Sequence, residues 1–390
     1  MTNSKKKICF ITGSRADYGL MKELMHLVSG DSNFELKIIV TGAHLSNLYG
    51  NTFKEIEDDG FKINEKLSII NNDDSATGIA KSIGEGVKSI TKAIIKVKPD
   101  MIILLGDRYE ILSAAISALI CNIPVSHIHG GEVTPSCYDD SIRHSVTKMS
   151  HLHFVANNSF KKRVIQLGES PKSVFTVGGM GIDSIKKTKT LSKKQLENDL
   201  GIKFSKKNLL ITFHPETLIK SNKLTQVNNL LSALGRLKNT SLLFTMPNAD
   251  IDSSKIIDRI KKFVRSNNNS TFIKSLGQIR YFSYIKYADG VVGNSSSGLL
   301  EVPAFKKGTI NIGDRQKGRP QAISVINCKA IEKDITLAIK KLYSPRFQES
   351  LKNVVSPYGA PGASLKVFNI IKKIDLNNIT IKNFNDINQK

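Results

Sequence analysis

The sequence predicts an α/β protein of two domains, each built on a mostly parallel sheet, and three observations carry that prediction. Short apolar runs of strand length alternate with segments of helical spacing from residue 8 to residue 374. Several of the runs, Ile8-Cys9-Phe10-Ile11 and Met101-Ile102-Ile103-Leu104-Leu105 above all, are apolar throughout, as strands buried on both faces are. At 390 residues the chain exceeds one ordinary core. Regular alternation implies right-handed crossovers, with ligands beyond the carboxyl ends of the strands. The expected division is a first domain over residues 1–180, a second over 181–360, and a final helix with a polar tail over 361–390.

In chain order, strand 8–12 runs into the loop Gly13-Ser14-Arg15-Ala16-Asp17-Tyr18-Gly19, where Arg15 is a potential bidentate partner for a diphosphate. Helical spacing follows at Leu20, Met21, Leu24, Met25 and Val28. A strand at 36–40, a helix at 53–58 entered by a capping box Thr52-x-x-Glu55, a polar strand near 61–70 and a long helix over 79–97 come next. Strand 101–105 ends in Gly106-Asp107-Arg108-Tyr109-Glu110, and strand 125–129 ends in Gly130-Gly131-Glu132. Burial beside a strand end raises a carboxyl pKa and suits it to acid or base work near neutrality; the plainer roles are a helix N-cap for Asp107 and a solvated loop residue for Glu132. Tyr138-Asp139-Asp140-Ser141-Ile142-Arg143-His144 opens a short helix with Asp139 or Asp140 as its cap, so acidic positions at neighbouring strand ends can face one pocket.

Strand 153–156, helix 159–167 and strand 174–177 complete the first half, and Gly178-Gly179-Met180-Gly181 marks a hinge. Residues 186–198 read as a polar linker. The second half starts at strand 209–213, which ends in His214-Pro215-Glu216-Thr217, where His214 can donate to a phosphate oxygen, shuttle a proton, or simply pack. Helices at 224–237 and 256–264 and strands at 242–245 and 271–273 follow, with Asn248 in the loop between. Val291-Val292-Gly293-Asn294-Ser295-Ser296-Ser297-Gly298 then runs from a strand through small residues into helical spacing, an arrangement that aims backbone N–H groups at a phosphate. Glu301, one turn on, can hold ribose hydroxyls, and Arg315 lies just past strand 309–312. Helices at 331–342 and 365–374 close the pattern, and the tail from Asn377 is expected to fray.

The formal charge of +23 arises mostly from scattered lysines rather than a single stripe, which argues against nucleic acid as the partner while favouring anionic small molecules. Four cysteines without a CxxC pair exclude a disulfide framework and a zinc site of the usual spacing. Neither a signal peptide nor a bilayer-length apolar stretch is legible, so a soluble cytoplasmic protein is expected.

The motifs Gly13–Gly19, Gly106–Glu110, His127-Ile128-His129-Gly130-Gly131-Glu132, Asp139–His144, Phe213–Thr217, Gly293–Gly298 and Ile312-Gly313-Asp314-Arg315-Gln316-Lys317-Gly318-Arg319 together resemble the hydrolysing UDP-N-acetylglucosamine 2-epimerases. The likeness is strongest to the bacterial sialic-acid-pathway type that releases N-acetylmannosamine. This resemblance implies two Rossmann-like domains in a GT-B arrangement, the sugar nucleotide in the cleft between them, and a last helix crossing back to the first domain. It also implies expulsion of UDP with loss of the C2 proton, giving a 2-acetamidoglucal, followed by hydration, without metal or cofactor. Asp107, Glu132 and Asp139 or Asp140 are then the expected acids and bases, with His214 beside them. Arg15, His214, Ser295, Ser296 and Arg315 would meet the diphosphate, and Ser14, Arg108, His129, Arg143, Asn248, Ser297 and Glu301 complete the expected substrate contacts. Relatives acting on UDP-2,4-diacetamido-2,4,6-trideoxyglucose share these motifs, and no kinase domain is expected after the epimerase. A homo-oligomer, dimer or tetramer, is expected. A GT-B glycosyltransferase and a non-catalytic UDP-sugar sensor share the nucleotide site but do not need the clustered carboxylates.

Overall fold

The computed structural model describes residues 5–71, 73–216, 218 and 223–387. Two compact units emerge: the first takes in Met1–Glu132, Asp139–Ser184 and Tyr358–Lys390, the second Val133–Tyr138 and Ile185–Pro357. The short segment 133–138 belongs with the second unit, where the Leu218 N–H donates to the Ser136 carbonyl.

In the first unit, β1 (Lys6–Thr12), β2 (Phe34–Thr41), β3 (Glu65–Leu67), β4 (Met101–Leu105), β5 (Val125–Ile128), β6 (Leu152–Val155) and β7 (Val174–Thr176) form one parallel sheet in the order β3-β2-β1-β4-β5-β6-β7. Helices α1 (Arg15–Ser29), α2 (Phe53–Asp58), α3 (Ala76–Val97), α4 (Tyr109–Ile120), α5 (Asp139–Met149) and α6 (Asn158–Gln166) make the crossovers, and α7 (Met180–Lys187) carries the chain out. Ile8, Phe10, Met101 and Ile103 from the sheet pack with Met21 and Leu24 of α1 and with Val367 of the last helix. Apolar strands of this kind need cover on both faces, with α1 and the last helix packed together on one and α3, α4 and α5 packed together on the other.

In the second unit, α8 (Lys193–Leu200), β8 (Lys207–Thr212), α9 (Lys223–Gly235), β9 (Thr240–Thr245), α10 (Ser253–Arg265), β10 (Ser270–Ile273), α11 (Gly277–Tyr287), β11 (Gly290–Gly293), α12 (Ser297–Leu300), β12 (Gly308–Ile312), β13 (Val325–Cys328), α13 (Glu332–Leu342) and α14 (Pro345–Ser350) build a parallel sheet ordered β10-β9-β8-β11-β12-β13. The last helix, α15 (Ala363–Lys373), lies in the first unit, where Phe368 meets Phe34 edge to face. In both sheets the order of strand addition reverses once, between β1 and β4 and between β8 and β11, and a ligand of a doubly wound sheet sits at such a switch point.

Several expectations are corrected. The loop expected over 13–19 is mostly helix, because Asp17 caps α1 from within its first turn. Thr52 makes no cap bond to α2; its hydroxyl is engaged with His44 Nδ1 at 2.8 Å. The polar strand near 61–70 shrinks to the three residues of edge strand β3. The hinge at Gly178-Gly179-Met180-Gly181 is a turn at Gly178, with φ +101°, followed at once by α7. The linker contains α8, capped by Ser192 and Gln195. Strand β13 and helix α14 were not foreseen. Thr217, the end of the expected His214 motif, lies outside the described residues.

The expected frayed tail instead packs. Lys382 Nζ reaches both oxygens of buried Glu169 at 2.9 and 2.8 Å, and Asn385 N donates to Gly168 O at 2.9 Å. His153 Nε2 and Lys148 Nζ share the same carboxylate, at 3.0 and 2.8 Å. No helix among the described residues is long and apolar enough to cross a membrane.

Buried histidines tie the first unit's stability to pH. Burial pushes His44 down to about 4, His127 to about 3 and His151 to about 4, against an ordinary value of 6.5. Below pH 6.5 the unfolded chain therefore binds protons that the folded chain refuses, so stability falls with falling pH until the folded-state values are reached. Calorimetry should find a melting temperature that drops progressively between about pH 6.5 and about pH 4. A flat profile over that range would mean these rings are not held neutral.

Candidate functional site

Strand ends β4 and β5 bring the first unit's acids together. Arg143, in the second turn of α5, is 1% exposed and donates Nη1 to the Glu132 carbonyl at 3.0 Å and to Asp140 Oδ1 at 3.3 Å, while Nη2 contacts Asp107 Oδ2. One guanidinium thus fixes two carboxylates and the backbone at a third. Asp140 also lies 3.5 Å from His144 Nε2. Its neighbour Asp139 is buried in the same first turn, so neither aspartate is the residue before the helix that a cap would be.

His129 was expected to touch substrate, but both of its nitrogens are engaged. Nδ1 lies 2.7 Å from Glu132 Oε1, and Nε2 accepts from Met180 N at 3.3 Å. The accepting Nε2 leaves the neutral ring's proton on Nδ1, pointed at Glu132. His129 sits at φ +66°, which turns its ring back under the loop to orient Glu132. Beneath Asp107, the His127 ring spans from Thr147 Oγ1 at 3.1 Å to the Gly106 carbonyl at 2.8 Å and pins the turn that carries the aspartate.

At the neighbouring end of β1, the Asp17 carboxylate accepts from Gly13 N at 2.9 Å, Ser14 N at 2.8 Å, Ser14 Oγ at 2.6 Å and Thr12 Oγ1 at 3.0 Å. Ser14 therefore serves the helix cap rather than offering its hydroxyl to a ligand, since one anion already occupies this turn. Arg15, the first residue of α1, is half-buried.

The second unit's switch point gathers His214, Asn248, Asn294 and Arg315. Asn294 exchanges hydrogen bonds with the His214 backbone, Oδ1 accepting at 2.7 Å and Nδ2 donating at 2.8 Å. Its carbonyl accepts from Arg315 Nη1 at 3.3 Å and Gln316 Nε2 at 2.8 Å. Asn248 N donates to His214 Nδ1 at 3.2 Å, which places a neutral imidazole's proton on Nε2 as a donor. Glu216 accepts from Asp314 N and Arg315 N at 2.8 and 2.9 Å and so fixes the turn that bears Arg315. A pocket of about 710 Å³ lined by Glu216, Asn311, Gly313 and Asn327 opens beside that turn.

The serine loop differs from expectation in one respect. Helix α12 is a single turn, broken by Pro303, so it carries little dipole. The N–H groups of Ser295, Ser296 and Ser297 make no hydrogen bond among the described residues, and their side chains are half-buried. Ser297 Oγ accepts from Tyr281 at 2.7 Å, and Glu301 follows α12 half-buried. Asp17, His127, Glu216 and Asn294 were not singled out in the sequence; the only signal was their place in the strand-end motifs. Among the described residues no group of three His, Cys, Asp or Glu side chains is placed to hold a metal ion.

A family model described as UDP-N-acetylglucosamine 2-epimerase matches residues 26–372. The chain belongs to the UDP-N-acetylglucosamine 2-epimerase family. Within it, the chain is 42% identical over 386 residues to the Campylobacter jejuni GDP/UDP-N,N'-diacetylbacillosamine 2-epimerase (hydrolyzing), covering 98% of this chain and 100% of that one. It is 41% identical to the Escherichia coli polysialic acid biosynthesis protein P7, covering 98% of each. Among solved structures, the Neisseria meningitidis UDP-GlcNAc 2-epimerase bound to UDP-GlcNAc superposes with a TM-score of 0.80 at 19% identity, covering 94% of this chain and all of that one. The two parallel-sheet units are thus those of the GT-B fold of this epimerase family, and the protein is a UDP-sugar 2-epimerase.

Proposed function

We propose that this epimerase is hydrolytic: it converts a nucleotide-linked 2-acetamido sugar and water into the free 2-epimeric sugar and nucleoside diphosphate. The observation that carries the reading is the first unit's carboxylate cluster, in which Arg143 orients Asp107 and Asp140 and His129 orients Glu132. Loss of the C2 proton to a carboxylate and breakage of the C1–O bond to the diphosphate give a glycal. Water then adds at C1, and a proton returns to C2 on the opposite face. Acids and bases must act on both faces of the ring, which a single carboxylate cannot do.

The second unit carries donors suited to a leaving diphosphate. His214 Nε2–H, the Ser295 to Ser297 N–H groups and Arg315 are donors for a diphosphate whose charge grows as the bond breaks. Glu301 is the expected ribose partner, and Arg15 and Arg108 the expected cations of the first unit.

For the sugar, the 42% relative's name favours N,N'-diacetylbacillosamine, a 2,4-diacetamido-2,4,6-trideoxy hexose, leading toward legionaminic-type acids. The 41% relative's role in polysialic acid biosynthesis favours UDP-N-acetylglucosamine as the second reading, with N-acetylmannosamine as product. Purified protein given each UDP sugar, and the GDP form of the first, should release free sugar from the diacetamido nucleotide with the highest kcat/KM. Preference for UDP-N-acetylglucosamine would establish the second reading, and a transferase that needs an acceptor would contradict both.

Asp107→Asn and Glu132→Gln should each lower kcat by about 10²–10⁴-fold while leaving UDP affinity by calorimetry unchanged. Parallel loss of UDP binding would make these residues structural. Self-association is part of the proposal, since Ile95, Leu119 and Ile120 are 62%, 54% and 66% exposed on α3 and α4. Sedimentation at a dimer mass or above is expected, and a persistent monomer would remove it. A cytoplasmic location accords with a nucleotide-sugar substrate.

A further inference from the structure

Glu110 is the second residue of α4 and is fully buried at the β1–β4 switch point. Its side chain lies where glycines leave room for it: a Cβ added at Gly13 would stand 3.2 Å from its Oε1, and one at Gly42 only 2.8 Å. Three strand-end loops, after β1, β2 and β4, therefore close around one carboxyl. Oε1 accepts from Arg108 Nε at 3.1 Å, whereas Oε2 has no hydrogen-bond partner. Leaving half of a buried carboxyl unsatisfied is unfavourable relative to a satisfied group. An apolar side chain would fill the same space without that cost, so packing alone does not account for it.

We propose that Glu110 is a positioning residue for Arg108: it fixes the guanidinium through Nε at the switch point, so that the anionic part of the sugar nucleotide meets Arg108 in one orientation. This rests on the reading given under Proposed function. Burial raises the Glu110 carboxyl against the pull of Arg108, and Asp17 adds to the rise. The Nε–H to Oε1 bond fixes the guanidinium plane and with it the direction in which its Nη groups face a ligand. Arg108 itself is extended at the N-cap of α4, its guanidinium 5.5 Å from the Tyr109 ring, which limits its other rotamers.

The test is a double-mutant cycle with kcat, KM and UDP calorimetry as readouts, and thermal melting to follow folding. Glu110→Ala should raise KM and the UDP dissociation constant by about tenfold or more with a much smaller change in kcat, because the lost property is orientation of a binding cation. Glu110→Gln, which keeps an oxygen acceptor in the same volume, should restore most of the affinity. In an Arg108→Met background, Glu110→Ala should add little further loss. Losses that add fully in that background, or a Glu110→Gln variant as weak as Glu110→Ala with an unchanged melting temperature, would overturn the proposal. A wild-type protein that binds no UDP would instead bring down the functional reading itself, a result separable from either variant's.

Discussion

Arg143→Met should abolish turnover and destabilise the first unit by about 3–5 kcal/mol, the cost of leaving buried charges without their partner. The arginine is 1% exposed and stands between Asp107, Asp140 and the Glu132 carbonyl. Methionine fills much of the volume and supplies none of the donors, so Asp107 and Asp140 lose their fixed orientation. Lysine is not a substitute, because one ammonium cannot span three acceptors in the plane of a guanidinium. Chemical denaturation and initial rates measure the two effects separately. Full stability with lost activity would mean that Arg143 acts on substrate directly, and full activity would remove the cluster from the mechanism.

Gly293→Val should be as damaging in the second unit. Gly293 ends β11 at φ +138°, paired in register with Thr212, and a Cβ there would fall 1.8 Å from the Thr212 carbonyl oxygen. That oxygen already accepts from Asn294 N at 3.2 Å, the bond that starts the serine loop. The backbone conformation alone costs a side chain about 1–3 kcal/mol, and the overlap must push β8 and β11 apart. We expect loss of UDP binding by calorimetry together with a lowered melting temperature. Retained binding would mean that Asn294 and the serines do not hold the diphosphate.

The fold was legible because β/α alternation with fully apolar strands leaves few other architectures; β4 and α2 fall on the expected residues, Met101–Leu105 and Phe53–Asp58. Strand β13 was not, since it is a short edge strand whose Asn327 is exposed and whose pairing with Asn311 depends on the sheet already being there. The position of the chemistry was legible too, in motifs that follow strong strands, such as those bearing Asp107, Glu132 and His214. Which of those residues face a ligand was not. His129 turns inward through a positive φ, Ser14 serves Asp17, and Arg143 binds residues brought near only by tertiary structure. The docking of the tail through Lys382 and Glu169, 213 residues apart in sequence, leaves no local pattern at all.

The most direct test of the account is the fate of the C2 hydrogen. With the preferred sugar nucleotide in deuterium oxide, proton NMR should show free 2-epimeric sugar carrying deuterium at C2 and one nucleoside diphosphate released per sugar, while the remaining substrate keeps its C2 proton until elimination. Product that retains the original C2 hydrogen would contradict proton transfer by the carboxylates around Arg143 and send the chemistry elsewhere.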